Sequence, residues 1–418
     1  MLDRLKSIFQ TTTYRQTVIT SLGTGINGIL GIAFYFFLAA KLGSAEFGRF
    51  ALLAAIIALL VPLFDLGGDQ GIVKFQADPV AGPKIVGNIL AVKLFSGLLA
   101  ILLFMALGQP LIRLLISKTD VLSLVPLIGV GITTQLLFSF STAFLQASQK
   151  YFSWSLQNIG ANFLRLALTV IFFFLHCLNA GTALIIFVIT PLLGFLIFKL
   201  LYWRTIYLVE IDFSIIKNVF GFNLPIAGSS IISSVTSRID NILVGRLLDF
   251  SSTGIYSLCV QFTSSVSQLA SALGVVTSPK FSSFSSPEHN FRYLLKSTAF
   301  AAGLIIPSAL LLLGLGYFVF PAVGRDFAVS FPILIILITA LSLFLITVPL
   351  RDSLLYFHTR PRFFLITSIL QLIFTVGFSL WLIPQYGMLG AALAVLANHL
   401  MLAAVSTGYF LKISKTTV

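Results

Sequence analysis

The side chains best suited to bind a charged group lie within long apolar stretches of the chain. Asn158, Asn162 and Arg165 follow one another at spacings of four and three residues, which places them on one face of a helix. Embedding an ionised side chain in a bilayer costs at least about 2.5 kcal/mol, so this face is expected to turn away from lipid. A guanidinium there suits a phosphate or pyrophosphate group. The alternative is a structural hydrogen-bond network between helices.

A second charged pair lies near the middle of the chain, where Arg238 and Asp240 are two positions apart. Residues at this spacing point about 200° apart around a helix, so both side chains cannot face one cavity. We predict that Arg238 is a substrate-binding cation. Asp240 is predicted to couple transport to an ion or to hold the two halves of the molecule in contact, and a role in stabilising the fold is the alternative.

Two further bases are candidate substrate-binding cations, Lys93 inside the third apolar stretch and Arg49 near the outer end of the second. For both, the competing interpretation is snorkelling, in which a long side chain lies along apolar surface and carries its charge to the headgroups. His399 is interpreted as a packing residue, with a proton relay as the alternative. Asp65 and Asp69 are the candidate acids for a catalytic site, but they are interpreted more simply as parts of a turn.

The composition indicates a membrane protein that crosses the bilayer many times. Hydrophobic residues make up 58% of the 418 residues and charged residues only 9%, with a mean hydropathy of +1.03. These values exclude an ordinary water-soluble domain. The net charge is +13, and the basic residues that produce it lie mostly between apolar stretches. This placement favours lipid headgroups over nucleic acid as the partner. With only two cysteines, we expect no disulfide framework, metal site or cofactor.

Stretches of about 20 apolar residues predict twelve transmembrane helices. We place them near 17–40, 46–66, 85–108, 121–147, 153–176, 181–202, 217–245, 253–276, 294–320, 329–356, 363–384 and 387–411. With the N-terminus inside, seventeen Lys and Arg residues fall on the inner side and seven on the outer side. The positive-inside rule therefore places both termini in the cytoplasm. Leu2, Leu5 and Phe9 predict a short interfacial helix before the first span.

The two halves of the chain show signs of duplication. Gly48 and Gly254 lie in similar local sequences 206 residues apart, and the same offset relates Gly181 to Gly387. The sequence therefore predicts an all-α membrane protein with two six-helix lobes related by a pseudo-two-fold axis normal to the membrane. We assign residues 1–203 to the N-terminal lobe, 204–216 to a cytoplasmic linker and 217–418 to the C-terminal lobe. Paired repeats of this kind are common in transporters.

Three segments carry a resemblance to a known group of transporters. They run from Arg238 to Ser257, from Ile383 to Ala394 and from Leu42 to Phe50. The chain resembles the polysaccharide flippases of the multidrug/oligosaccharidyl-lipid/polysaccharide exporter superfamily, and the Wzx-type O-antigen translocases in particular. The length and span number agree over the whole chain, whereas the motifs are short and divergent.

The resemblance implies a flippase without catalytic residues in a bacterial cytoplasmic membrane. Its substrate would be an undecaprenyl-pyrophosphate-linked oligosaccharide, such as a lipopolysaccharide O-antigen unit, and it would work as a monomer beside a polysaccharide polymerase and glycosyltransferases. Embedded bases would compensate the pyrophosphate. A drug or cation antiporter of the same superfamily and a membrane enzyme acting on lipid-linked sugars are the alternatives.

Overall fold

The computed structural model describes residues 12–76, 81–116, 118, 120–202 and 211–416, and within these ranges the chain is helical with no strand. The predicted interfacial helix at Leu2 to Phe9 and the greater part of the predicted linker lie outside the described residues. In chain order the helices are α1 Thr12–Asp65, α2 Gly68–Phe75, α3 Ala81–Ala106, α4 Gly108–Ile116, α5 Pro126–Ala147, α6 Tyr151–Phe174, α7 Ala180–Leu201, α8 Phe213–Thr236, α9 Ile239–Leu247, α10 Phe250–Ser282, α11 Pro287–Val323, α12 Ser330–Asp352, α13 Pro361–Tyr386 and α14 Met388–Thr416. Short 3₁₀ turns occupy Leu122–Leu124 and Arg325–Val329, and a π-helical turn occupies Ser353–Phe357.

Nine helical stretches in the described residues are long and apolar enough to cross a bilayer. The first of them, Ile19–Asp65, contains two predicted spans, because the chain kinks at Gly43, where φ is 75°. Adding α10 and the α8–α9 pair gives the twelve predicted spans. The fold class predicted from the sequence, an all-α protein with about twelve transmembrane helices, is confirmed.

Several element boundaries differ from the prediction. The short helices α2 and α4 lie where the sequence predicts only loops. The predicted seventh span is broken, because α8 ends at Thr236 and α9 begins at Ile239. The break places Arg238 between two helices rather than inside one. Hydropathy averaged over the length of a span does not reveal such a break.

The described residues form two compact units. Unit 1 includes 49–234 and unit 2 includes Gly43–Gly48 and 235–418. Helix α8, predicted to begin the C-terminal lobe, thus lies in unit 1. The division of the chain into lobes at 203 and 217 stays a prediction.

Helix α8 is hydrogen-bonded to the rest of unit 1 at two places, just before its first residue and near its middle. Asn223 is fully buried and donates from Nδ2 to the carbonyl of Gly67 at 3.0 Å. At the start of α8, the carboxylate of Asp212 accepts from the amides of Ser214 and Ile215. Hydrogen bonds from the hydroxyl and amide of Ser214 hold the pKa of Asp212 below its ordinary value. The amide of Asp212 in turn donates to Asn88 of α3 at 2.9 Å.

Unit 2 contains a close backbone contact between the two copies of the repeated motif. A Cβ atom on Gly48 would collide with the carbonyl oxygen of Phe250, and one on Gly254 would collide with that of Ser44. Phe250 and Ser44 are themselves 206 residues apart, so the contact is reciprocal. Ser44 also donates to Asp326 at 2.7 Å and accepts from Ser251 at 2.6 Å. The repeat seen in the sequence therefore has a structural function in unit 2.

Candidate functional site

Arg165 lies in unit 1 on α6, surrounded by neutral groups. Its Nε donates to Thr190 Oγ1 at 3.3 Å and its NH1 donates to Asn162 Oδ1 at 3.1 Å. The guanidinium carbon is 4.5 Å from the ring centre of Phe187 and 5.5 Å from that of Phe34. Among the described residues, no carboxylate lies within salt-bridge distance of it. In the described part of the chain, its charge therefore contacts aromatic faces and neutral oxygens.

The predicted polar face of α6 is only partly continuous. Asn162 bridges Arg165 to the first helix by donating to Asn27 Oδ1 at 2.7 Å. Asn158 instead donates to the carbonyl of Trp154 in its own helix at 2.8 Å, and no hydrogen bond joins it to Arg165. The structure thus brings Asn162 and Arg165 together and leaves Asn158 apart. The substrate-binding role of all three stays a prediction.

Lys93 on α3 is the centre of a buried ionic cluster. Its ammonium donates to Asp65 at the end of α1, to Asp69 on α2 at 2.7 Å and to Ser139 on α5 at 2.9 Å. The exposed fraction of the side chain is 1% for Lys93, 9% for Asp65 and 30% for Asp69. The snorkelling interpretation of Lys93 is wrong, because two carboxylates compensate its charge inside the protein. It is consequently less suited than Arg165 to bind an anionic substrate.

Sequence reasoning named Asp65 and Asp69 only as candidate acids or parts of a turn, and it missed Ser139. The turn predicted for the two acids is present, with Gly67 at φ 83° between them. The turn interpretation did not include Lys93, the base that pairs with both acids. A usable signal existed, since two acids lie at the end of the second span and just after it, and the third span contains a lone lysine. Neighbouring spans that bear opposite charges at similar depth are expected to pair.

The remaining predicted site residues have separate environments. Arg49 forms a half-exposed salt bridge with Asp120 at 3.2 Å in unit 1. Arg238 precedes α9 in unit 2 and makes no salt bridge with Asp240. Asp240 itself is 5% exposed and accepts hydrogen bonds from the hydroxyl of Tyr256 at 2.7 Å and the amide of Asn241 at 2.8 Å. Its carboxylate is thus buried with hydrogen-bond donors, and no base among the described residues forms a salt bridge with it.

His399 packs against Phe344, with the ring centres 5.4 Å apart. Its Nδ1 is buried and has no hydrogen-bond partner among the described residues. The packing interpretation therefore agrees with the contact, although the ring is not fully hydrogen-bonded. In the same ranges, no cluster of three His, Cys, Asp or Glu side chains is placed to hold a metal ion.

Comparisons with known proteins give the chain a family and a fold. Residues 37–332 match the profile of a family described as polysaccharide biosynthesis protein. The sequence comparison with curated proteins returned no match. Among solved structures, the lipid II flippase MurJ in an inward closed conformation superposes with a TM-score of 0.75 at 18% identity, covering 95% of this chain and 87% of that one.

Two transporters of the MOP superfamily are also similar. A multidrug resistance MATE family transporter in an inward-facing conformation has a TM-score of 0.65 at 15% identity, and 96% of each chain is covered. A MOP superfamily transporter from Pyrococcus furiosus has a TM-score of 0.63 at 15% identity, covering 97% of this chain and 96% of that one. At such identities the likeness establishes the fold alone, which this chain shares with these three proteins. The predicted superfamily resemblance is confirmed.

Proposed function

The chain belongs to the polysaccharide biosynthesis protein family, and from this premise we propose that it flips an undecaprenyl-pyrophosphate-linked oligosaccharide. The substrate is an O-antigen unit or a similar polysaccharide repeat, moved by alternating access from the cytoplasmic to the outer leaflet of a bacterial inner membrane. The lipid tail stays in the bilayer while the sugar and the pyrophosphate cross. The monomeric state, the cytoplasmic termini and the polymerase and glycosyltransferase partners belong to the same proposal.

The observation that carries the proposal is the state of Arg165. A pyrophosphate that leaves water needs cations to offset its desolvation, and a guanidinium binds two phosphate oxygens at once. Arg165 has no carboxylate partner among the described residues, so an incoming anion would not have to displace one. Its neutral partners, Asn162 and Thr190, hold the guanidinium in place without cancelling its charge.

One observation favours a second candidate, a cation antiporter. Asp240 is a buried carboxylate with no salt-bridge partner among the described residues, which is what an exchanged proton or sodium ion requires. One of the similar structures is described as a multidrug resistance transporter. The two candidates differ in the sign of the group that crosses, anionic for a flippase and cationic for an antiporter.

Deletion of the gene tests the flippase directly. The deletion strain should accumulate a lipid-linked oligosaccharide on the cytoplasmic face, and mass spectrometry of the extracted lipid should identify its sugars. Expression of the wild-type chain should return that lipid to the level of the parent strain. An unchanged lipid-linked sugar pool, together with increased sensitivity to cationic drugs, would favour the antiporter.

A further inference from the structure

A polar cavity of about 410 Å³ lies in unit 1 between α2 and α5. Of the eight residues that line it, six are polar, and the argument depends on Asp69, Gln70, Lys74, Ser139, Thr142 and Gln146. A second cavity of about 440 Å³, in unit 2, is lined by Gly316, Ala328, Pro321 and four aromatic residues. The two cavities therefore differ in the types of residue that line them, mostly polar in the first and mostly aromatic in the second.

Lys93 does not line the polar cavity, but it binds two of the side chains that do. The Lys93 ammonium binds Asp69 Oδ1 at 2.7 Å and Ser139 Oγ at 2.9 Å, and both of these residues line the cavity. Asp69 keeps 30% of its side chain exposed, so part of its carboxylate faces the cavity while the other part is fixed. A fixed carboxylate with free acceptor positions can accept two neighbouring hydroxyl groups.

The other lining groups supply both donors and acceptors. Gln70 has a buried Oε1 with no hydrogen-bond partner among the described residues, and Gln146 brings a second amide. Thr142 donates its hydroxyl to the carbonyl of Ser139 at 2.9 Å and keeps acceptor capacity on the same oxygen. This mixture suits a ligand that carries many hydroxyl groups.

We propose that this cavity binds a sugar residue through its hydroxyl groups, with the Asp69 carboxylate accepting two of them and the amides of Gln70 and Gln146 completing the contacts. Other ligand classes fit less well. An apolar lipid chain would leave the exposed part of the Asp69 carboxylate without hydrogen-bond donors. Asp69 repels an anion, and the nearby positive charges of Lys93 and Lys74 disfavour a metal cation. A neutral sugar avoids both costs.

The link to transport rests on the proposed function, because only a flippase for a lipid-linked oligosaccharide gives such a cavity a sugar to bind. On the predicted orientation, α2 follows the cytoplasmic end of the second span. The cavity would then meet the sugar on the side from which it is exported, which makes it a subsite separate from Arg165.

A cysteine placed at Val73 reports occupancy of the cavity. Val73 lines the cavity and is 43% exposed, but it contributes no polar group. In a chain that also carries Cys177→Ser and Cys259→Ala, purified V73C protein is labelled with a maleimide in the presence of methyl glucoside, methyl galactoside or methyl N-acetylglucosaminide. At least one glycoside should slow the labelling in a saturable way. Permethylated methyl glucoside, which keeps the ring but has no hydroxyl donor, should not.

Two further variants assign the effect to the cavity. Asp69→Asn leaves Lys93 paired with Asp65 and should raise the glycoside concentration for half-protection about tenfold, as expected for loss of a charged hydrogen bond. Thr142→Val should raise it less, and this variant decides the question if Asp69→Asn does not fold. Labelling of A328C, in the aromatic cavity, should be unaffected by the glycosides.

The proposal is overturned if no glycoside slows the labelling of V73C more than the permethylated sugar does. It is also overturned if D69N and T142V keep full protection. The flipping assay is independent of these readouts. Flipping without protection would contradict the sugar subsite and leave the proposed function in place. Protection without flipping would support the sugar subsite and contradict the proposed function.

Discussion

Lys93 shows how one buried charge is stabilised inside a membrane protein. An isolated ammonium at 1% exposure would be strongly unfavourable, but two carboxylates and a hydroxyl surround this one. The stabilisation depends on Lys93, since its removal would leave the buried Asp65 carboxylate without its base. Arg292 offers a contrast, because its salt bridge with Glu288 is 69% and 70% exposed on the two side chains.

We expect Lys93→Met to lower the free energy of unfolding by about 3 to 5 kcal/mol, because Asp65 then remains buried without its base. The control is Arg292→Met, which breaks an exposed pair on one helix and should cost about 0.5 kcal/mol or less. Thermal unfolding of the two variants in detergent measures the difference. Equal midpoints for both would show that the Lys93 cluster contributes no special stability.

Arg165 is the residue on which, in the proposed function, transport of the charged group depends. Arg165→Ala should abolish export while the protein remains inserted, and Arg165→Lys should restore part of it, because lysine keeps the charge but loses the two-point contact with phosphate. Export is measured per molecule of membrane-inserted protein. If both variants lower only the abundance and export per molecule is normal, Arg165 stabilises the contact between α6 and α7 and is not part of the site.

At the scale of the element, the contact of Gly48 with Phe250 and of Gly254 with Ser44 fixes how the start of α10 packs in unit 2. Backbones can approach this closely in membrane proteins only where the residues are small. The same reasoning explains why the repeat is visible in the sequence at these positions. At positions where a side chain fits, the two copies can carry different residues. At these two positions any Cβ atom would collide with a backbone carbonyl, so both copies have glycine.

Gly48→Ala should destabilise the protein by at least about 1 to 3 kcal/mol, since the added methyl group meets backbone rather than a movable side chain. Gly303→Ala is the matched control in unit 2, because Gly303 lies in α11 with nothing within 4 Å of the added atom. That change should be neutral or stabilising by up to about 1 kcal/mol. The unfolding midpoints of the two variants check this, and similar losses in both would contradict the packing described for Gly48.

Sequence reasoning reached the elements more easily than their junctions. Hydropathy identified the spans because a bilayer requires long apolar helices. It missed α2, α4 and the break at Arg238. Short helices and breaks depend on tertiary contacts between distant parts of the chain, such as the hydrogen bond of Asn223 with Gly67. The same difference, between features within one helix and contacts between helices, applies to the candidate site. The Asn162 and Arg165 pair is visible as a helical spacing. For the Lys93 cluster, the sequence offers only the opposite charges on neighbouring spans, and the contact with Ser139 needs the folded structure.

At the scale of the whole molecule, the orientation in the membrane stays a prediction that rests on seventeen bases against seven. It is tested with single cysteines in a chain that lacks Cys177 and Cys259. A cysteine at Ser286 should not react with an impermeant reagent added outside the cell, and one at Gln385 should react. Permeabilised cells, in which both should react, provide the control. The reverse pattern would invert the orientation and place the polar cavity on the outer side.

The most direct test of the flippase is a reconstituted transport assay. Purified protein is placed in liposomes whose membrane contains an undecaprenyl-pyrophosphate-linked oligosaccharide with a fluorophore on the sugar, and an impermeant reductant is added outside. Liposomes without protein should lose only the fluorescence of their outer leaflet, whereas wild-type protein should let the inner-leaflet fluorescence decay as well, and Arg165→Ala should not. If the wild type leaves the inner-leaflet signal as intact as empty liposomes do, while it moves a cationic dye, the chain is a cation transporter and not the proposed flippase.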